Sequence, residues 1–250
     1  MELTWLGHAT ALIDVGDYRI ITDPLLTKRV AHLRRRRSVP TSLGADVDDV
    51  DLVLLSHLHL DHFHLPSLRL LRPNARILAP RGSLALLRKA GLHNVTELEV
   101  GDRVECGPVT IEVVPAAHKH GRGPHTRVAA RPVGYVVDSD DRRCYFPGDT
   151  DLFDGMADLR EIDIAMLPIW GWGPTIGEGH LDPLRAVAAA ELIRPKLVVP
   201  IHWGTYAPED GRRRLPTWFE DPALQFASAM VKADDHQRLR LLEPGEQITC

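Results

Sequence analysis

The sequence has few cysteines, no long apolar run and no excess of basic residues. The three cysteines, Cys106, Cys144 and Cys250, are widely spaced and odd in number, so neither a disulfide framework nor a cysteine-rich metal site is expected. No apolar stretch approaches the ~20 residues that a membrane-spanning helix requires. A formal net charge of -4 argues against a general nucleic-acid-binding protein. The N-terminus also lacks signal-peptide features, so we expect a cytoplasmic protein without a membrane span.

Histidine, by contrast, is concentrated in one stretch. Residues 51–55, of which the last four are apolar, predict a buried strand, and His57, His59, Asp61 and His62 follow it. Imidazole nitrogens and carboxylate oxygens are common ligands of zinc and neighbouring transition metals. His57 and His59 project the same way from an extended backbone, whereas Asp61 and His62 fall in a turn and can face a second point. The stretch therefore predicts a metal site with more ligands than one metal needs.

Short strands and helices alternate along the chain in an order that occurs twice. Residues 1–100 and again 103–242 pass from β-hairpins to strand–helix units. This order predicts an α/β (α+β) fold: a four-layer αββα sandwich of two mixed β-sheets flanked by helices, in a single domain over residues 1–250. Residues 25–49 are expected to be irregular, helices are predicted at 66–71, 83–90, 182–193 and 222–232, and a final strand at 239–242.

Further His and Asp residues follow apolar strands at the point where each strand ends. They are Asp23, His118, Asp149 and His202. In layered α/β folds such strand ends converge at one edge, where ligands bind. A lone strand-end histidine is more often a packed core residue than a ligand, but several positions that supply only His and Asp indicate a shared site. For Asp23 we favour hydrogen bonding to a metal-binding histidine over a simple turn role.

These motifs resemble those of the metallo-β-lactamase superfamily, in all five elements and in their order. The matching elements are Thr22-Asp23-Pro24, His57-x-His59-x-Asp61-His62, His118, Gly148-Asp149-Thr150 and His202. Several segments resemble the branch that holds N-acylphosphatidylethanolamine-hydrolysing phospholipase D and the ascorbate-6-phosphate lactonases. Besides Thr22-Asp23-Pro24, they are the Trp-Leu-Gly-His-Ala-Thr segment at 5–10, the Arg-Arg-Ser-Val-Pro segment at 36–40, the His-Leu-Asp-Pro segment at 180–183 and the Ile-His-Trp-Gly-Thr segment at 201–205.

The resemblance implies two divalent metal ions, with zinc first and manganese or iron as alternatives. It assigns His57, His59 and His118 to one metal and Asp61, His62 and His202 to the other, with Asp149 bridging both. In the third motif, His118 matches by its Pro-x-x-His context, and His120 and His125 are the alternatives.

The expected activity is that of a metal-dependent hydrolase in which a hydroxide bridging the metals attacks an ester-type bond. Asp61 would orient the hydroxide, and His180 would donate a proton or hydrogen bond to the substrate. Alternatively, His180 is only a neighbour of the Asp182 helix cap. His8 is either a partner that orients a metal ligand or a packing residue.

The expected substrate is a small or medium-sized phosphodiester, with a lactone or another carboxylic ester or amide as the alternative. Arg36, within the arginine block at 34–37, and the basic segment at 119–131 would favour an anionic substrate if they line the mouth of the site. The alternative is that the arginine block is only a solvated part of the surface. Trp170, Trp172 and Trp203 would form an apolar wall, unless they belong to the core or to an interface.

A membrane phospholipid is the less favoured substrate, since the chain begins at the first strand and no amphipathic lipid-binding helix is evident. A non-catalytic metal-binding scaffold is the alternative from another class of function. Assembly into a homo-oligomer stays open.

Overall fold

The computed structural model describes residues 1–38, 47–122, 129–139, 141–171, 173–209 and 215–249. His125, Trp172 and Cys250, together with residues 39 and 40 of the 36–40 segment, lie outside these ranges. Among the helices within them, none is long and apolar enough to cross a membrane.

Two large mixed sheets and one small sheet form the framework. In chain order, the strands are β1 (Glu2–Gly7), β2 (Thr10–Val15), β3 (Tyr18–Thr22), β4 (Arg29–Val30), β5 (Leu33–Arg35), β6 (Leu52–Leu54), β7 (Arg76–Pro80), β8 (Val95–Leu98), β9 (Arg103–Cys106), β10 (Val109–Pro115), β11 (Val133–Ser139), β12 (Arg142–Phe146), β13 (Ile164–Pro168), β14 (Leu197–Ile201), β15 (Tyr206–Pro208) and β16 (Gln247–Thr249). The helices are α1 (Leu65–Leu68), α2 (Leu84–Lys89), α3 (Pro183–Ile193) and α4 (Asp221–Lys232).

Each large sheet has an antiparallel half and a parallel half. The first sheet has the order β16-β1-β2-β3-β6-β7-β8, in which pairing is antiparallel up to β3 and parallel from β3 onward. The second has the order β14-β13-β12-β11-β10-β9, parallel from β14 to β12 and antiparallel beyond. The repeated order of hairpins and strand–helix units in the sequence therefore corresponds to these two sheets.

The apolar side chains of β6 separate the layers. Leu52 and Leu54 belong to the cluster that joins the first sheet to the second sheet and to α3 and α4. Val53, between them, belongs to the cluster that covers the other face of the first sheet, beneath α1 and α2. Successive strand residues point to opposite faces, so this alternation places one sheet between two apolar layers. The predicted α/β sandwich of two mixed sheets with helices outside is confirmed.

Local signals predicted the start of α3. Asp182 accepts a hydrogen bond from the backbone N–H of Arg185 and precedes Pro183 at the start of α3, as its position before a proline predicts. α3 then ends at a residue in the left-handed conformation, Arg194.

The predicted strand at 239–242 is wrong. Leu239 makes only an isolated bridge with Val198, and the edge of the first sheet is instead formed by β16, which pairs with β1. Residues 25–49, expected to be irregular, contain β4 and β5, the second of which pairs with β15. β16 and β5 depend on partners far away in sequence, whereas β4 pairs with the adjacent β5. None of these short strands carries a long apolar alternation that local analysis could detect.

Candidate metal centre

Loops from both sheets bring the predicted ligands together at one edge of the sandwich. The loops follow β1, β3 and β6 in the first sheet and β10, β12 and β14 in the second. Among the described residues, three groups have ligand atoms that all lie within 4.8 Å of one another. The first group is His57, His59, His118 and Asp149, and the second is His8, Asp61, His62 and His202. A third set, Asp23, His57 and His62, overlaps both groups through its histidines.

The first group has its nitrogens directed at a common point. His59 Nδ1 lies 3.0 Å from His57 Nε2 and 3.1 Å from His118 Nε2. Asp149 Oδ2 is 3.9 Å from His57 Nε2 and 4.0 Å from His118 Nε2. His57 and Asp149 are buried, whereas His59 and His118 are half-buried, so this group has an open side.

The second group is more deeply buried. His62 Nε2 and His202 Nε2 are 3.0 Å apart, and Asp61 Oδ2 is 3.6 Å from each. Asp149 reaches this group as well, because its Oδ2 lies 3.2 Å from His62 Nε2 and its Oδ1 lies 3.2 Å from His202 Nε2. Asp149 is therefore shared between the two groups.

Backbone carbonyls orient two of the histidines. His118 Nδ1 lies 2.6 Å from the carbonyl oxygen of Gly179, and His202 Nδ1 lies 2.9 Å from that of Trp170. A carbonyl oxygen only accepts, so both rings carry a hydrogen on Nδ1 and donate it. In the neutral rings, Nε2 of each histidine is then a lone pair directed into the site.

His62 is oriented by a buried carboxylate. Its Nδ1–H donates to Asp23 Oδ2 at 2.6 Å, so a neutral His62 would present a lone pair on Nε2 to the lone pair of His202. Two acceptors at 3.0 Å require a positive charge at this point. Burial lowers the pKa of His62. The charges of Asp149, Asp61 and Asp23 oppose this effect, and the pKa is raised well above its usual value. The acidic surroundings thus favour a cation here, and a divalent metal meets that need.

The shared carboxylate provides a second test of fit. Asp149 is buried, and its Oδ1 has no hydrogen-bond donor within the described part of the chain. A buried oxygen without a partner costs free energy, which a bound cation would offset. Burial opposes ionisation of Asp149, but His202 and His62 hold its pKa well below the usual range. The donor set therefore fits metal ions.

The three histidines of the first group are in the neutral form that metal binding needs. Burial lowers the pKa of His57 well below its usual value and that of His118 to about 4. Burial lowers the pKa of the His59 imidazole as well. All three are thus unprotonated at neutral pH, the form in which imidazole binds a metal.

His8 both orients a ligand and packs against one. Burial, with a contribution from His202, lowers its pKa to about 3, so the ring is neutral. Its Nε2–H then donates to Asp61 Oδ2 at 2.8 Å. Its ring centroid lies 3.9 Å from that of His202, and its carbonyl accepts the backbone N–H of His202 at 2.9 Å. His8 thus fulfils both alternatives, because it orients Asp61 and packs against His202.

Comparison with known proteins assigns the family. A family model described as a beta-lactamase superfamily domain matches residues 18–203. The chain belongs to the metallo-β-lactamase superfamily. The resemblance identified from the sequence motifs is thereby confirmed, and the protein is a metal-dependent hydrolase of this superfamily.

Relatives of this hydrolase include archaeal and animal proteins. A UPF0173 metal-dependent hydrolase of Methanopyrus kandleri is 30% identical, with 98% of each chain covered. The N-acyl-phosphatidylethanolamine-hydrolyzing phospholipase D 1 of Caenorhabditis elegans is 31% identical over 81% of this chain, which spans 64% of that relative's length. The solved structure of a metallo hydrolase from Ignicoccus hospitalis has a TM-score of 0.71 at 23% identity, covering 99% of this chain and 97% of the other. It shares the fold.

His180 lies at the open side of the hydrolase site. Its Nε2 is 3.4 Å from Asp149 Oδ2, and its Nδ1–H donates to the carbonyl of Gly177 at 3.0 Å. Its ring centroid is 4.6 Å from that of His118. Burial lowers the pKa of His180, but the hydrogen bond and charge of Asp149 raise it above the usual value. His180 thus lies beside Asp149 and His118 and is anchored by the Gly177 carbonyl.

Residues of the arginine block pair with neighbouring segments. Arg34 pairs with Glu209. Arg35 donates to the carbonyls of Leu6 at 2.8 Å and Leu25 at 2.6 Å. The backbone N–H of Arg36 donates to the Thr205 carbonyl at 2.8 Å. These contacts tie the arginine segment to the loops around the site.

Arg37 likewise contacts the loop that carries His202. Its guanidinium lies 4.7 Å above the Trp203 ring and donates to Glu243 at 2.9 Å. Arginine side chains used in this way stabilise the site through stacking and ion pairs.

Of the remaining candidates, Trp170 is half-buried, with its indole N–H donating to Gly173 at 3.0 Å. Trp203 does not form a wall of the site: it is buried in the core and stacks on Trp5 at 5.5 Å. His120 is exposed and belongs to neither metal group, whereas His118 belongs to the first. Ser56, a fully buried residue beside the ligands, was not among the residues predicted from the sequence. Only its position directly before His57 could have suggested a role.

Proposed function

We propose that this hydrolase binds two divalent metals and cleaves a phosphodiester of a small or medium-sized substrate. The observation that carries the proposal is the position of Asp149, whose two carboxylate oxygens each lie 3.2 Å from a nitrogen of the second group. The same carboxylate borders the first group at 3.9–4.0 Å. One side chain shared by two complete His/Asp groups is the arrangement that a two-metal site needs.

In this proposal each group holds one metal. His57, His59 and His118 would hold the first, and Asp61, His62 and His202 the second, while Asp149 would serve as a ligand common to both. Bound metals would supply an activated water at neutral pH and would neutralise negative charge on the substrate. Zinc is our first choice for this donor set, and manganese and iron are alternatives.

Two residues are assigned direct roles in the reaction. Asp61 keeps one oxygen fixed by His8 at 2.8 Å and orients the attacking water. His180, anchored at Nδ1 by the Gly177 carbonyl, is assigned to protonate the leaving group from Nε2. Because a general acid must lie within reach of the reacting atoms, its location beside Asp149 on the open side of the site supports this role.

The choice of a phosphodiester rests on chemistry and on one relative. Two metals stabilise both the attacking and leaving oxygens of a phosphoryl displacement. The Caenorhabditis elegans relative is named a phospholipase D, a name that denotes cleavage of a phosphodiester. Trp170, whose carbonyl holds His202, is proposed as an apolar contact for the substrate, and Arg36 as a cationic one.

A substrate panel tests the function. The metal-replete hydrolase would be assayed with bis(p-nitrophenyl) phosphate, p-nitrophenyl phosphate, a γ-lactone and an N-acyl amide, each with zinc, manganese or iron supplied. We expect the diester to be cleaved fastest, with His59→Ala as the inactive control. A preference for the lactone would support the lactonase alternative, and no turnover of any compound would support a non-catalytic scaffold.

A further inference from the structure

Ser56 lies at the junction of the two metal groups. It is fully buried and directly precedes His57. Its Oγ is 2.5 Å from Asp23 Oδ2 and 2.9 Å from His57 Nδ1. A hydroxyl has one hydrogen to donate, and the carboxylate oxygen can only accept. The hydroxyl therefore donates to Asp23, and His57 Nδ1–H donates to the hydroxyl oxygen.

This direction of hydrogen bonding fixes the tautomer of His57. With its hydrogen on Nδ1, the neutral ring has a lone pair on Nε2, the atom that faces His59 Nδ1 at 3.0 Å. The opposite tautomer would place a hydrogen on Nε2, and that nitrogen could not bind a metal. Ser56 is thus the acceptor that keeps His57 in its ligating form.

The same pair of residues also orients the second group. Asp23 Oδ2, which accepts from the Ser56 hydroxyl, accepts the Nδ1–H of His62 at 2.6 Å. Asp23 Oδ1 accepts the backbone N–H of Ser56 at 2.7 Å. Because His57 belongs to one metal group and His62 to the other, one hydrogen-bonded serine–aspartate pair supports a ligand in each.

Gly148 holds Ser56 in this position. A Cβ atom at Gly148 would lie 2.3 Å from both Cβ and Oγ of Ser56. Only glycine therefore allows the loop that carries Asp149 to pack directly on the serine side chain. The backbone carbonyl of Ser56 also accepts the N–H of Val133 at 3.0 Å. The serine is thus enclosed on several sides.

We infer that Ser56 is a positioning residue that sets the metal-binding tautomer of His57 and, through Asp23, the orientation of His62. The inference rests on the proposed two-metal site. Removing a hydrogen-bond partner of a metal-binding histidine typically lowers metal affinity about 10- to 100-fold. We expect a loss of this size for Ser56→Ala, larger in the His57 group than in the His62 group.

A matched control is available in the same region. Ser67 is also fully buried, and its Oγ lies 2.7 Å from Nδ1 of His64, which belongs to neither metal group. Ser67→Ala removes an equivalent serine–histidine hydrogen bond without touching a ligand. It should retain the metal affinity of the unmodified chain.

The experiment is titration of metal-free protein with Co²⁺, followed by its visible absorption spectrum and by competition with a chromogenic chelator. Ser56→Ala should weaken binding about 10- to 100-fold and alter the absorption bands, whereas Ser67→Ala and Ser56→Thr, which retains the hydroxyl, should not. If the alanine variant fails to fold, Ser56→Gly removes the same hydroxyl.

Wild-type affinity and unchanged bands in Ser56→Ala would overturn the inference and leave the two-metal proposal intact. Binding of a single Co²⁺ by the unmodified chain would overturn the two-metal proposal. The affinities of the unmodified chain and Ser56→Ala for that one ion would then still decide the role of Ser56. Absence of Co²⁺ binding by the unmodified chain would overturn both.

Discussion

The two histidines proposed to hold the second metal, His62 and His202, each have their orientation set by a partner on the far side of the ring. His62 donates to Asp23, and His202 donates to the Trp170 carbonyl. The sequence reveals the side chains in such a network, because His and Asp at strand ends are unusual. It does not reveal the carbonyl partners, because every residue has a carbonyl and only the fold determines which one faces the ring.

At the same scale, His8 should be needed for full metal affinity in the second group. We expect His8→Asn to weaken binding of one metal about 10- to 100-fold, since Asp61 loses the donor that fixes it. Asparagine suits this position because the backbone φ of 54° is left-handed. Chelator competition would measure the change, and thermal unfolding of the metal-free forms would serve as control. Equal affinities would contradict the role given to His8.

The role of His180 predicts a dependence on the leaving group. A proton donor matters most when the leaving group is a poor one, so His180→Gln should slow an alkyl phosphodiester about 100-fold or more. The same variant should have much less effect on bis(p-nitrophenyl) phosphate, whose leaving group needs no proton. Steady-state kcat values for the two substrates would be compared. An equal loss for both would mean that His180 is not the acid.

At the scale of elements, strand ends and turns carry the chemistry. Some of the strands and helices that they join were predicted from the sequence, and others were not. β6 was evident from its apolar run, and α3 from Asp182 and Pro183 at its start. β16 was missed because its three residues are mostly exposed and only their pairing with β1 makes them a strand.

The Gly148 turn provides a stability test at this scale. Gly148→Ala should destabilise the metal-free chain by roughly 2 kcal/mol or more, through both its φ of 63° and the contact with Ser56. Gly91→Ala is the matched control, because Gly91 has a φ of 86° and no atom within 4 Å of its added Cβ. Denaturant unfolding of the two variants separates backbone strain from steric overlap. A loss no greater than that of Gly91→Ala would contradict the packing described.

Asp163, just before β13, gives a prediction of pH dependence. It accepts from the Arg143 backbone N–H at 2.8 Å and from Lys196 Nζ at 2.6 Å. Burial opposes ionisation, but these bonds and the lysine charge lower its pKa in the folded chain. The ionised Asp163 carboxylate therefore stabilises the fold at pH values above its unfolded-state pKa of about 3.9. This stabilisation is lost as the pH falls through the pKa of Asp163 in the folded chain.

Asp163→Asn should accordingly cost about 1–3 kcal/mol at pH 7, with a smaller difference from the unmodified chain below pH ~4. Urea unfolding at several pH values would measure it. A difference that does not vary with pH would show that the carboxylate charge is unimportant there.

At the scale of the whole molecule, neither sheet holds a complete metal group. Loops of the first sheet supply His57, His59, Asp61 and His62, and loops of the second supply His118, Asp149 and His202. The sites thus exist only when the two sheets are packed together, and metal that binds only the folded chain must stabilise it. The order of the motifs in the sequence predicted this convergence, but not the distances that make Asp149 common to both groups.

Metal stoichiometry tests the two-metal account most directly. Elemental analysis of zinc-loaded protein should give two ions per chain for the unmodified hydrolase. His59→Ala removes a ligand of the first group only, and His202→Ala a ligand of the second only. Each variant should therefore retain about one ion. One ion in the unmodified chain, or loss of both ions from either variant, would contradict two separate metal groups joined by Asp149.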